Sequence, residues 1–310
     1  MRATGPYTWQ PHLVVWVVLV GTVVAVVVAN RRLGRQRPDP VAWSRREQVA
    51  FGFAMLAGAT ALAWPLADLA AHWSLLALIV QRLLLILAVP PLLMVGLPFE
   101  VLRWLTRPAP VDAWLDWVRR PAVAVVWVTV TMVGCLTVPM VRAMASSATV
   151  RGLVDVVVLA AGFVLWLPII GRVPGPLRIQ QWARFAYLVI QAVVPAFLSF
   201  IYIFARHPLY PTFIGSHAVD GLQPVTDQQI SGFVSKLTML VVLIVVGAVV
   251  LTRAQRLDED QDGEEPLVWA DVERQLERAE RHDRRRQRHQ LEEKGGEPPP
   301  ESPGSGTVDP

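Results

Sequence analysis

Apolar residues gather in this chain as long blocks, and the blocks share nearly one length. They fall at residues 12 to 29, 48 to 68, 75 to 98, 121 to 139, 152 to 171, 183 to 205 and 230 to 252. At 1.5 Å per helical residue each approaches the roughly 20 residues that cross about 30 Å of hydrocarbon. A backbone in lipid must satisfy its own N–H and C=O groups, so each block is expected to be a helix. The pattern predicts an all-α, polytopic membrane protein whose membrane domain, residues 1–252, is a seven-transmembrane-helix bundle. The first block is followed by Arg31, Arg32, Arg35 and Arg37, whereas a secretory signal has its charges before the apolar stretch, so this block is read as a retained helix.

Between the blocks, positive charge alternates. Lys and Arg number six in 30–47, four in 99–120 and two in 172–182, against none in 69–74, Arg142 and Arg151 in 140–151, and Arg206 alone in 206–229. Positive loops are retained on the cytoplasmic side. The expected orientation is therefore N-terminus outside and C-terminus cytoplasmic. Segment 100–118 alternates Val101, Leu102, Leu105, Trp114, Leu115 and Val118 with Arg103, Arg107, Asp112 and Asp116, which reads as a helix lying in the headgroup layer. Beyond the last block, 253–294 is a charged tail with helical spacing over 266–293, where Glu273 and Glu277 can meet Arg281. Residues 295–310 are mostly Gly, Pro, Ser and Glu and are expected to be disordered.

Composition agrees with this reading, at 53% hydrophobic and 17% charged residues. The formal net charge of +4 hides two halves: residues 1–252 hold 19 Lys and Arg against nine Asp and Glu, and 253–310 hold ten against 16. Most arginines sit beside apolar blocks, where they meet lipid headgroups, so the lipid bilayer and not nucleic acid is the expected partner. The single cysteine, Cys135, excludes an intramolecular disulfide and a cysteine-based zinc site.

Polar residues inside the blocks carry the most information, because a charge near the bilayer centre costs at least roughly 2.5 to 3.5 kcal/mol. Arg82 lies in the third block, Arg151 and Asp155 stand four apart at the start of the fifth, and Lys236 lies in the seventh. All four belong to the outer half of the expected topology. They predict an ion-pair cluster around Asp155, with Gln81, Asp227, Gln228 and Gln229 at similar depth filling the remaining donors and acceptors. Soft donors form a second candidate group: Met140 and Met144 are four apart, Cys135 is near them, and thioether and thiol suit Cu(I). Met at helical spacing is also ordinary packing.

Several motifs resemble the multi-span CtaG type of cytochrome c oxidase assembly protein, over residues 7 to 252. They include Trp9 and Pro11, then Trp43, Arg46, Phe51 and Gly52, Pro65-Leu66, and Val80-Gln81 followed by Leu83-Leu84-Leu85. Pro90-Pro91-Leu92-Leu93 with Gly96 and Pro98 continue the match, as do Gly162, Trp166 and Pro168. The most specific stretch is Pro208-Leu209-Tyr210-Pro211 with Asp227-Gln228-Gln229 and Gly232. The resemblance implies seven spans, a bacterial cell membrane location, a role in building the copper-containing oxidase with its subunits as partners, and copper handling on the outer side. It also implies histidine pairs in the third and fifth spans. Here Leu78 and Arg82 occupy the first pair, Arg151 and Asp155 the second, and Val154 stands where an acid is usual. Leucine has no lone pair and arginine is a permanent cation, so the inherited copper site is expected to be replaced by a charge bridge between Arg82 and Asp155.

Two other functions fit the same residues less well. A transporter would use Arg82, Arg151 and Lys236 to line an anion path, yet no internal repeat accompanies them. A membrane enzyme would need a nucleophile and base, and the chain has neither HExxH nor a His/Ser or His/Cys pairing at membrane depth.

Overall fold

The structure is a computed structural model that describes residues 9–35, 43–172, 181–213, 221–242, 244–250, 252, 273–274 and 276–281. The chain divides into two compact units, Met1–Leu251 and Thr252–Pro310. In the second, residues 273–274 and 276–281 are helical, and Arg281 Nη2 donates to Glu277 at 3.3 Å. The rest of the helix expected over 266–293, and the segment 295–310, lie outside the described residues.

The first unit is built from helices α1 (Leu13–Gly34), α2 (Arg45–Leu62), α3 (Leu66–His72), α4 (Leu75–Leu83), a π-helical turn (Leu84–Ala88), α5 (Val89–Gly96), α6 (Phe99–Leu105), α7 (Ala109–Val118), α8 (Pro121–Cys135), α9 (Val138–Ser146), α10 (Ala148–Ile170), α11 (Gln181–Phe204) and α12 (Pro224–Val250). Among the described residues, six helical segments are long and apolar enough to cross a membrane, and seven if the bent pair α7–α8 counts as another. The second span joins α2 to α3, and the third joins α4, the π turn and α5.

Two expected elements differ. The fourth block does not form one helix over 121–139, because α8 stops at Cys135 after 15 residues. Pro139, lacking an N–H and confined to the first turn of α9, cannot continue α8. Leu136 and Thr137 close α8 by donating to the Val133 and Gly134 carbonyls at 3.2 and 3.3 Å. The interfacial helix expected over 100–118 is likewise two helices, α6 and α7, parted before Pro108. α7 meets α8 at 90°.

The third span is the axis of the bundle, flanked by the second span on one side and α10 on the other. Its sequence creates a backbone problem. Pro90 has no N–H to offer the carbonyl of Ile86 four residues earlier. The helix responds by widening to the π turn, with Val89 N–H donating to Leu84, while the indole of Trp166 on α10 donates to the Ile86 carbonyl at 2.9 Å. Gly162, one helical turn before Trp166, makes this approach possible: a Cβ there would lie 2.5 Å from Pro90 Cγ and 3.0 Å from the Ile86 carbonyl oxygen. Gly96 does the same between α5 and α2, where a Cβ would come within 2.4 Å of the Phe51 nitrogen.

Packing around this axis falls into three groups. A central cluster holds Leu85, Ile86, Val128, Val158, Leu165 and Leu188. One end is closed by Leu75, Leu78, Val141, Met144, Tyr202 and Tyr210, and the other by Val26, Phe51, Leu97, Val101 and Leu102. The latter end is fastened by polar contacts. Ser44 and Glu47 form a capping box at the start of α2. Trp43 Nε1 donates to the Gly96 carbonyl at 3.0 Å, and Arg172 bridges Glu47 and the Val95 carbonyl. Gly171, in the left-handed region at φ 63°, ends α10 just before that arginine.

Trp166→Phe should leave the Ile86 carbonyl unpaired in an apolar setting and lower stability by about 1–3 kcal/mol. Gly162→Ala should cost more, since its added methyl meets backbone as well as Pro90. Thermal unfolding of the purified protein in detergent reads both, and a Trp166→Phe protein as stable as the parent would show that this contact is dispensable.

Candidate functional site

Arg82 sits on the last turn of α4, where Leu75, Leu78, Ile79 and Arg82 share the inward face by their helical spacing. Its side chain is 3% exposed, which places a permanent cation among helices. Arg82 Nη1 donates to Asp155 Oδ1 on α10 at 2.5 Å, and Nη2 donates to the Met144 sulfur on α9 at 3.2 Å. One guanidinium thus ties three helices together. Buried charges persist only when paired and hydrogen-bonded, and this pair supplies the compensation that Arg82 requires.

Arg151, one turn before Asp155 on α10, is half-buried and within electrostatic range of both Asp155 and His72. The cluster therefore contains two cations to one carboxylate. Arg82 Nε and Arg151 Nη1 are buried without a hydrogen-bond partner.

The other polar residues expected in this cluster go elsewhere. Gln81, adjacent to Arg82 but turned about 100° around the helix, donates through Nε2 to the Ala61 carbonyl of α2 at 2.9 Å. Asp227, near the start of α12, is 5% exposed and caps the third span: Ser74 Oγ and Leu75 N–H donate to its two carboxylate oxygens, both at 2.7 Å, and Leu76 N–H approaches at 3.4 Å. A carboxylate at a helix N-terminus satisfies free N–H groups and meets the positive end of the helix dipole. Gln228 accepts from Leu209 N–H at 2.9 Å and so pins the loop after α11. Gln229 is exposed. Lys236 is exposed too, its ammonium 3.9 Å from the Phe200 ring centre, on the outer surface of α11 and α12 and apart from Asp155. The mixed expectation of one cluster failed because depth along the span was legible and helix face was not.

The soft donors are also divided. Met144 is engaged by Arg82, Cys135 donates to the Met132 carbonyl at 3.3 Å, and Met140 packs at the edge of the cluster that holds Met144. Cys135 belongs to the central cluster instead. Among the described residues no group of three His, Cys, Asp or Glu side chains is placed to hold a metal ion. His72 and His207 are exposed, and His217 lies outside the described residues. A cation bonded to the Met144 sulfur opposes a second cation there, so these residues do not fit a copper ion.

Five residues in polar links at the same end are absent from the candidate cluster. His12 Nε2 and Asp68 Oδ2 meet at 3.0 Å and join the start of α1 to α3. Tyr210 donates to the Leu136 carbonyl at 2.6 Å, and its oxygen is 2.8 Å from the Tyr202 hydroxyl. Burial pushes the Tyr210 phenol above its ordinary range, which keeps it protonated as a donor. Ser74, the α4 N-cap and the partner of Asp227, is the fifth. Asp68 near the end of an apolar block was the one available signal. Tyr210 stood in the Pro208-Leu209-Tyr210-Pro211 motif without a role attached to it, and Tyr202 carried no signal, since an aromatic beside a span is commonplace.

Removing either charge of the buried pair should destabilise the protein by about 3–5 kcal/mol, whereas the exchanged pair Arg82→Asp with Asp155→Arg should recover part of the loss. A double exchange as damaging as both single changes added together would sink the pairing. Asp227→Ala should cost about 1–2 kcal/mol through the lost cap, and hydrogen exchange should rise first at the amides of Leu75 and Leu76. Uniform exchange across α4 would argue against the capping role.

Nothing among curated proteins or solved structures matches this chain. A family model described as cytochrome c oxidase caa3 assembly factor (Caa3_CtaG) matches residues 13–256, which takes in every span and both polar ends of the bundle. The chain therefore belongs to the Caa3_CtaG family of cytochrome c oxidase assembly factors.

Proposed function

We propose that this protein serves oxidase assembly as a membrane-embedded scaffold that holds a partner subunit, and that it does so without carrying copper between its third and fifth spans. The observation that supports this reading is the Arg82–Asp155 bridge with Met144 on the same guanidinium. It occupies the positions where the resemblance implies imidazole ligands. A guanidinium donates hydrogen bonds and has no lone pair to offer a metal.

The orientation proposed for the scaffold follows the Arg distribution. The end fastened by Glu47 and Arg172 faces the cytoplasm with the charged tail, and the end bearing Arg82, Asp155 and Asp227 lies toward the outside of a bacterial cell membrane. The match to an assembly-factor family supports a non-catalytic role. An anion path lined by Arg82, Arg151 and Lys236 is disfavoured by Lys236 lying on the outer surface over Phe200.

Deleting the gene should lower assembled oxidase, read as haem a absorbance and cytochrome c oxidation in membranes. The parent chain and a Met140→Leu/Met144→Leu double variant should restore it equally. Unchanged oxidase on deletion overturns the assembly reading, and rescue by the parent alone, with copper in the purified protein, overturns the copper-free scaffold.

A further inference from the structure

The corner between α7 and α8 contains a feature that the polar end does not explain. α7 turns at 90° into α8, and in the elbow lies an open groove of about 510 Å³. Trp117 of α7 and Ala122 at the start of α8 form its head, and Val123, Val126 and Val130 run away from it down α8 at spacings of three and four, on one face of the helix, with Trp127 beside them. Trp114 and Trp117 hold the Trp127 ring edge-on, with centroids 6.5 and 6.0 Å away. The groove is thus pre-formed by a braced aromatic cluster. Its long wall is apolar and open to hydrocarbon: Val126 is 61% and Val130 64% exposed.

A cation stands in sequence directly before the head of the groove. Arg120 is exposed and immediately precedes Pro121 and Ala122, the first residues of α8, while neighbouring Arg119 is bonded to Asp116 at 2.9 Å. No side chain caps α8, so the amides of Ala122 and Val123, both in the groove lining, and the positive end of the helix dipole lie just after Arg120. A ligand suited to this shape has an anionic head, a semi-polar junction at the depth of the tryptophans, and an apolar tail. Charge at the head and hydrocarbon along the wall select a lipid over a protein segment. A transmembrane helix about 10 Å across and 30 Å long also displaces several times the volume of this groove.

We infer that the α7–α8 elbow is a binding site for one anionic phospholipid, its phosphate at Arg120 and the start of α8 and one acyl chain along Val123, Val126 and Val130. The site is independent of the Arg82–Asp155 bridge and of the assembly role. In the proposed orientation it opens to the cytoplasmic leaflet, where anionic lipid attracts basic segments.

Native mass spectrometry of the full chain tests it, after delipidation in detergent and addition of phosphatidylglycerol or phosphatidylcholine at equal concentration. One phosphatidylglycerol per chain should be retained in preference to phosphatidylcholine. Arg120→Gln should reduce that preference about fivefold, and Val126→Trp, which fills the groove from an exposed position, should abolish retention of either lipid. Unchanged elution and melting of both variants confirm that they fold. Equal retention of the two lipids by the parent, or retention insensitive to both substitutions, overturns the proposal. A dimer that Val126→Trp dissolves would assign the groove to a second copy of the chain and overturn it also.

Discussion

A guanidinium away from water has to be answered by a carboxylate, and the arrangement of one half of this bundle follows from that demand. Arg82 is fixed in the third span, Asp155 in α10, and their bond sets the rotation of both helices about their axes. Once Arg82 faces α10, Gln81 faces α2 and reaches the Ala61 carbonyl, while Leu78 and Ile79 turn into the packed end. Met144 on α9 then fills the remaining side of the guanidinium, which brings the short helix after the α8 break against the axis. Replacing such a pair by apolar residues of similar volume can be neutral in stability, so its value lies more in register than in net energy.

The same accounting governs the backbone. Pro90 frees a carbonyl that water would satisfy in a soluble protein and that lipid cannot. The π turn and Trp166 answer it together, and Gly162 allows the indole to come close enough. Asp227 answers the opposite need at the start of α4, where free N–H groups face a buried corner. The third span is therefore held at its head by α12, in its middle by α10 and on its flank by α2. Span three is central because it has the most polar debts to its neighbours.

How much of this was visible beforehand depends on whether a feature is set by length or by direction. Apolar length located the six segments that are long enough to cross among the described residues, because hydrocarbon thickness is a fixed ruler, and it overstated the fourth block, which breaks at Cys135. Proline placement could have revealed the breaks before α7 and α9, but apolar content across 121–139 concealed the second. The bond between Arg82 and Asp155 was legible because a deep charge has few alternatives. Lys236 was misplaced at equal depth since its helix face is set by packing: α12 buries Ser231 and Ser235, and Lys236, one residue on from Ser235, is left at the surface over Phe200. The Tyr202 and Tyr210 pair lay beyond sequence reasoning because it depends on a loop closing back onto Leu136.

The chemistry of the central pair also limits what kind of assistance this protein can give. A carrier of Cu(I) needs soft donors that exchange, so that the ion can be passed on. A charged pair of hard groups does the reverse: opening it strands a cation and an anion between helices, at a cost of several kcal/mol that nothing in hydrocarbon offsets. Arg82 and Asp155 therefore hold α4 and α10 in register. On the scaffold reading proposed above, adjustment to a partner would fall outside that core. Two elements meet this condition: α1, which touches chiefly α2 and α6 and exposes Val14, Val17, Val20 and Val24, and the α7–α8 elbow with its open apolar groove. Both border hydrocarbon, where a subunit of an assembling membrane complex would arrive. A rigid polar core with adaptable apolar edges is the division of labour expected of a scaffold.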